Sequence, residues 1–316
     1  MDKKDRLYRA LAGEEVDYVP SGFWFHFPEE QYYGDEAVKA HLDFYANADL
    51  DILKIMNEYQ YRPGFEIKTP SDWRRLKPQK IKDSYFQGYI DVIKKIADTL
   101  KGEVPLLATI HGVFASAFHC CMRPGETLAG KNLLMDHIKE EPEFVLSGFS
   151  AIADTLAELS LACIDAGVDG IYYATLGGED YRFSEKEFLR YIKPFDIQAL
   201  HPVQNVCDLL ILHICSEKLR LPVYADYPDN AINWAVHESR YSLEDGKRIF
   251  NRTILGGLDD RSGVMVEGPE REIMHEVTKI VNEFGKRGFI LGCDCTLPTN
   301  IPISHIRAAI EAARAC

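Results

Sequence analysis

The chain has 316 residues, a formal net charge of −13 and a hydrophobic fraction of 46%. That length and apolar content suffice for one large core, and the chain reads as a single domain over 1–316. The acidic balance argues against a nucleic-acid partner, which needs a concentrated basic surface. No run of about 18 apolar residues marks a membrane span, and the charged start Met1-Asp2-Lys3-Lys4-Asp5 is no secretory signal, so a cytoplasmic location without a membrane partner is expected.

In chain order, Lys3 to Leu11 predicts a short amphipathic helix stopped by Gly13. The apolar run Val19 to Phe25 predicts a first strand, with Pro20 near its start, where a missing N–H costs least. A helix around Ala37 to Ala48 leads to a second strand, Ile52 to Met56. The long connection Pro63 to Pro78 holds a helix start at Ser71-Asp72-Trp73. A helix from Ile90 to Leu100 precedes the third strand, Pro105 to Ile110, which Gly112 ends. Phe144 to Ala166 shows helical recurrence and meets Gly167, a natural C-cap.

Val168 to Ala174 predicts the fourth strand, ended by Gly177-Gly178. Helices from Ser184 to Tyr191 and around His201 to Val206 follow. Leu209 to His213 is almost continuously apolar, as a fifth strand buried on both faces would be. Leu221 to Tyr227 reads equally as helix or strand. Asn230 to Val236 is the sixth strand, Leu243 to Asn251 a helix, Thr253 to Leu258 the seventh strand and Glu267 to Glu283 a helix. Gly288 to Gly292 is the eighth strand, and Ile306 to Ala315 the final helix.

Short buried strands that alternate with helices, without a linker, predict a (β/α)₈ barrel of the α/β class. A doubly wound open sheet gives a similar rhythm. No glycine-rich phosphate signature supports it, because Gly167-Val168-Asp169-Gly170 precedes a strand instead of following one. A barrel places its chemistry at the C-terminal strand ends.

The sharpest feature at those ends is His213-Ile214-Cys215, combined with Cys293. Residues two apart in an extended chain point the same way, so His213 and Cys215 can share one metal ion with Cys293 from the eighth strand. One imidazole and two thiolates suit zinc, with a fourth position open. The competing reading makes His213 a hydrogen-bonded core residue and the thiols buried apolar groups. Cys295 is a further ligand option, which would close the site, and Asp294 should point the other way. His237 and Glu238 follow the sixth strand and are placed to assist a ligand or the reaction. His111 after the third strand and the aromatics Trp24, Tyr59, Tyr172 and Tyr173 are pocket candidates, although core packing accounts for most such rings. His119-Cys120-Cys121 cannot all face one ion and reads as a helix or turn with partly buried thiols.

Several segments carry a resemblance. They are the run from Arg9 through Gly13 to Pro20, then Asp51-Ile52-Leu53-Lys54-Ile55-Met56, His213-Ile214-Cys215 and Gly256-Gly257-Leu258-Asp259. The last is Gly292-Cys293-Asp294-Cys295 running into Pro298-Thr299-Asn300-Ile301-Pro302. Together they resemble the uroporphyrinogen decarboxylase superfamily, which includes cobalamin-dependent methyltransferases, and the resemblance implies the (β/α)₈ fold. In the decarboxylase branch Asp51 would stand for the aspartate that holds the pyrrole nitrogens. That branch also places arginines just after the first strand, whereas here no arginine occurs between Arg9 and Arg62. The methyltransferase branch implies zinc on His213, Cys215 and Cys293. Tyr59, His111 and Tyr173 are cofactor-binding candidates, and His237 and Glu238 catalytic candidates, by their places near the strand ends; Asp51 joins the catalytic candidates through the decarboxylase resemblance.

By this resemblance the cofactors are zinc and a corrinoid, methylcobalamin, and the partners are a corrinoid protein and a small-molecule acceptor; a homodimer is compatible with it. The expected function is methyl transfer between the corrinoid and a small thiol or similar acceptor. A decarboxylase-like lyase and a non-catalytic corrinoid-handling protein are the alternatives. Many relatives carry an acidic residue in the loop after the fourth strand, where this chain has Ala174-Thr175-Leu176-Gly177-Gly178.

Overall fold

Eight short strands form one all-parallel sheet in a computed structural model, which describes the backbone of residues 1–122 and 127–316 and the side chains outside 123–131. The strands are β1 (Ser21–Gly22), β2 (Leu53–Ile55), β3 (Leu106–His111), β4 (Gly170–Thr175), β5 (Leu210–Ile214), β6 (Ala231–Trp234), β7 (Thr253–Leu258) and β8 (Phe289–Cys293). Their order, β1-β8-β7-β6-β5-β4-β3-β2, pairs each strand from β2 to β8 with its neighbour in sequence and joins the first to the last. Every residue of β5 is buried, as the helix-covered parallel sheet of a barrel requires.

The backbone ladder stops between β1 and β2, and side chains close that seam. Asp51, just before β2, accepts hydrogen bonds on Oδ2 from Ser21 N (3.1 Å) and Ser21 Oγ (2.9 Å) of β1. Its Oδ1 accepts from Arg314 Nη2 (2.8 Å) and Tyr18 Oη (3.3 Å). Gly22 has no side chain where the strands approach, and a Cβ there would lie 3.6 Å from Ile52 Cδ1 and 3.0 Å from Trp24. The expectation of a catalytic Asp51 is therefore corrected. It precedes its strand, at the end of the barrel opposite the mouth, and all its partners belong to the fold.

Strand alternation decides which residues enter the barrel. Tyr172 of β4 points inward, and its hydroxyl donates to Asn233 Oδ1 (2.8 Å) of β6. Asn233 in turn donates to the carbonyls of Leu255 (3.0 Å) and Cys293 (3.1 Å), which ties β6 to β7 and β8. Tyr173, the next residue, points outward. Its hydroxyl donates to Asp196 Oδ1 (2.6 Å) on the helix Lys193–Leu200 and accepts from Val113 N (3.2 Å). Tyr173 is thus a strut between sheet and helix layer, which corrects its expected place beside a cofactor.

Some elements differ from the sequence expectations. β1 is reduced to two residues after Pro20. The ambiguous segment from Leu221 is a 3₁₀ turn, Leu221–Tyr224. Residues 201–206 are turns, and the helix lies earlier, at Lys193–Leu200, with Pro194 in its first turn, where proline is tolerated. The helices Val113–Cys121 and Thr127–Glu140 were not anticipated as such. The 24-residue helix Pro142–Asp165 has the length and mean hydropathy of a membrane span, but 61% of its apolar window is buried inside the fold.

Candidate metal centre

The centre grows from the end of β5. Cys215 N donates to Thr175 O (3.0 Å), which extends the β4–β5 ladder beyond Ile214 and keeps Cys215 on the face of His213. The third sulfur comes from the chain after β8. That chain bends past Cys293, Leu297 N donates to Trp24 O (3.0 Å) and Leu297 bridges to Phe25. This return across the mouth brings Cys295 Sγ to 3.3 Å from His213 Nε2. Donor atoms of His213, Cys215 and Cys295 all lie within 4.8 Å of one another.

Cys293 is not in this group, and the expected third ligand is corrected to Cys295. Alternation puts Cys293 on the strand face of Phe289, whose ring packs against Phe284 outside the barrel (4.8 Å between centroids). Burial pushes the Cys293 thiol well above its ordinary range. The sequence signal for Cys295 was its place two residues after Cys293, on the same face if the strand continued; the strand ends at Cys293 and the alternation is broken there.

The donor set fits a soft or borderline dication. The sulfurs of Cys215 and Cys295 are hydrogen-bonded to each other. That bond pulls the Cys295 thiol well below its ordinary range, with help from His213, and raises that of Cys215. A metal takes the place of the shared proton when such thiols ligate. His213 Nδ1 is buried and makes no hydrogen bond among the described residues. The ring is held by stacking on Tyr172, 5.3 Å between centroids at 22°. Tyr172 meets Trp24 edge-on at 4.9 Å.

Around this group the mouth carries more charge than the sequence reading foresaw. Asp294 is fully buried, and its Oδ2 accepts from His237 N (2.7 Å) and Nδ1 (3.0 Å), which raises the imidazole's pKa. Its Oδ1 has no partner among the described residues. His237 therefore reaches the rim, outside the sulfur group, while Glu238 turns to Arg261 (2.7 Å). Asp260 was missed in sequence; burial, with Cys295 and Asp294 nearby, pushes its carboxyl up to about 7. Lys54 was also missed, and its Nζ lies over the Tyr172 ring, 4.6 Å from the centroid.

His111 ends β3 with its ring 5.1 Å from that of His119, and burial holds its pKa well below the ordinary value. Tyr59 belongs to a tyrosine cluster with Tyr33 (5.0 Å) and Tyr85 (5.1 Å), seated against Gly88 and away from the sulfurs. An acidic residue does serve the loop after β4. Glu179 is fully buried, accepts from Gly177 N (2.9 Å) and Arg182 Nη2 (2.8 Å), and acts electrostatically on Cys215.

Residues 53–316 match the family described as uroporphyrinogen decarboxylase (URO-D). The chain belongs to that family. No curated protein matches it. A methyltransferase from Methanosarcina mazei is similar in structure, with a TM-score of 0.78 and 17% identity, over 100% of this chain and 98% of that one. A B12-independent methionine synthase from a Shewanella species, in complex with selenomethionine, is similar with a TM-score of 0.59 and 13% identity. That likeness covers 94% of this chain and 97% of the other. Both likenesses are of fold. In this URO-D family chain the His213–Cys215–Cys295 group sits at the C-terminal strand ends, where barrels of this class carry their chemistry.

Proposed function

We propose that the chain is a metal-dependent methyltransferase acting between a corrinoid and a small thiol or similar acceptor. The convergence of His213, Cys215 and Cys295 in the barrel mouth carries this reading. These three residues would hold a zinc ion, which supplies a Lewis acid able to keep an acceptor thiol ionised near neutral pH. Three protein ligands leave one position for the acceptor. Tyr172 fixes the plane of the His213 ring by stacking, and Asp294 fixes His237 at the rim, where its free Nε2 can hydrogen-bond an incoming molecule. A corrinoid protein docked over the strand ends and a cytoplasmic location belong to the same proposal.

The names of the structural relatives support methyl transfer, since one is a methyltransferase and the other a methionine synthase. The second is B12-independent, so a methyl donor other than a corrinoid is the alternative within this reading. Tetrapyrrole decarboxylation is disfavoured, because Asp51 is fixed at the opposite end of the barrel and no arginine occurs between Arg9 and Arg62. Anaerobic incubation with reduced tetrapyrrole should release no carbon dioxide above a control without protein.

Zinc-loaded protein, mixed anaerobically with methylcobalamin and a panel of small thiols, should convert the methylated corrinoid to cob(I)alamin. One thiol should be strongly preferred, and Cys295→Ala should abolish the conversion. Turnover that survives the loss of Cys295 would refute activation at this centre. A panel that reacts only when a non-corrinoid methyl donor replaces methylcobalamin would establish the alternative donor.

A further inference from the structure

Lys54 is the central residue of β2, and its side chain runs inside the barrel with 4% exposure. Its ammonium touches the Met56 sulfur (3.1 Å) and lies over two aromatic faces, 4.6 Å from the Tyr172 centroid and 5.0 Å from that of Trp24. Among the described residues it makes no ion pair. Glu58, the carboxylate that acts on it electrostatically, is engaged by His26 at 2.6 Å. The other titratable groups that feel it are the buried His41, the partly exposed His111, and the sulfurs of Cys215 and Cys295. A thioether and two rings stabilise an ammonium far less than a carboxylate does. Burial accordingly lowers the Lys54 pKa to about 7, while the two sulfurs favour its charged form.

Such a residue weakens the fold, so its use must lie in what comes to it. One stack of rings leads from Lys54 to the metal centre, Lys54 over Tyr172 and Tyr172 against His213. A dication held by two thiolates and a neutral imidazole is balanced. A third sulfur anion leaves one negative charge in a buried site. We propose that Lys54 is the counter-charge for the acceptor's sulfur anion, and so selects an acceptor that binds as a thiolate over a neutral thioether or alcohol. The acceptor's proton is released to water on binding, and the ammonium keeps its own. Lys54 is a specificity-determining residue here, and the inference rests on the metal-dependent reading above.

Cobalt(II) in place of zinc makes the test visible, because sulfur-to-cobalt absorption grows as a thiolate joins the site. The probe is 2-mercaptoethanol, titrated into cobalt-loaded wild type and Lys54→Met across pH 6 to 9. Both proteins should take up cobalt equally. The variant should bind the thiol about tenfold more weakly, with its pH midpoint raised by about one unit, as loss of a nearby opposite charge implies. Metal-free Lys54→Met should also melt at a higher temperature than wild type, because an apolar chain replaces an unpaired buried charge. Equal thiol affinity and equal midpoints in two cobalt-loaded proteins would overturn the role of Lys54 alone. A lower melting temperature in both Lys54→Met and Lys54→Gln would assign the lysine a structural role and overturn it as well. Wild-type protein that takes up no cobalt would instead overturn the metal-dependent reading, and this inference with it.

Discussion

At the floor of the barrel both oxygens of Asp51 are engaged, by Ser21 on one side and by Tyr18 and Arg314 on the other. At the mouth His213 Nδ1, His119 Nδ1 and Asp294 Oδ1 are buried without a hydrogen-bond partner among the described residues. The floor is not flawless, since Arg314 Nε also lacks one. The difference still separates two uses of buried polarity. Side chains at the floor complete a seam that the backbone leaves open. Those at the mouth are left with capacity for something that is not protein, and such orphaned groups call for an explanation in ligand or function.

The largest expected effect tests the mouth. Cys295→Ala should lose tight metal binding, whereas Cys293→Ala should retain stoichiometric metal after zinc incubation and dialysis, measured by elemental analysis. Retention by Cys295→Ala with loss by Cys293→Ala would reverse the assignment and return the third ligand to the strand. The next effect tests the floor. Asp51→Ala takes one of the two carboxylate partners of Arg314, leaving Asp49, and opens the β1–β2 seam, so it should destabilise the protein by about 2 kcal/mol, as loss of buried hydrogen bonds to a charged group does. Its metal content should be unchanged. Denaturant midpoints and metal analysis on the same preparation check both halves, and metal loss in Asp51→Ala would show that the two ends are not independent.

The sequence disclosed the strands best where both faces are apolar. β5 and β7 fall within a residue of the predicted runs because buried parallel strands leave unbroken hydrophobic stretches. It disclosed β1 poorly, since most of the run Val19 to Phe25 packs as extended chain without a ladder. At the site, His213 and Cys215 were legible from alternation within one strand. Cys293 and Cys295 were indistinguishable by the same rule. The bend after β8, fixed by Leu297 pairing with Phe25, is a tertiary event with no local signature. Lys54 was hidden for a related reason: a lysine in an apolar run reads as an exposed edge until the closed barrel covers it.

Two histidines bring the comparison to its smallest scale. His213 has one ring nitrogen without a hydrogen bond, but His41 has both engaged. Its Nδ1 lies 2.7 Å from Ala37 O and its Nε2 accepts from Met56 N (2.9 Å), an arrangement that requires the neutral ring with its proton on Nδ1. Burial lowers its pKa from 6.5 to about 4. The sign follows from the unfolded chain, where the ring protonates near its ordinary value while the folded ring resists. The contribution of His41 to stability is therefore fully present above pH 6.5 and declines as pH falls towards 4, by at most about 3 kcal/mol. Below that window both states are protonated and the decline ends. Urea midpoints of metal-free wild type and His41→Gln, followed from pH 7.5 to 4.5, should converge on acidification, because glutamine cannot titrate. Two parallel profiles would mean that the His41 ring is accessible to protons in the folded state, and that the wall of the barrel beside β2 is as open as its mouth.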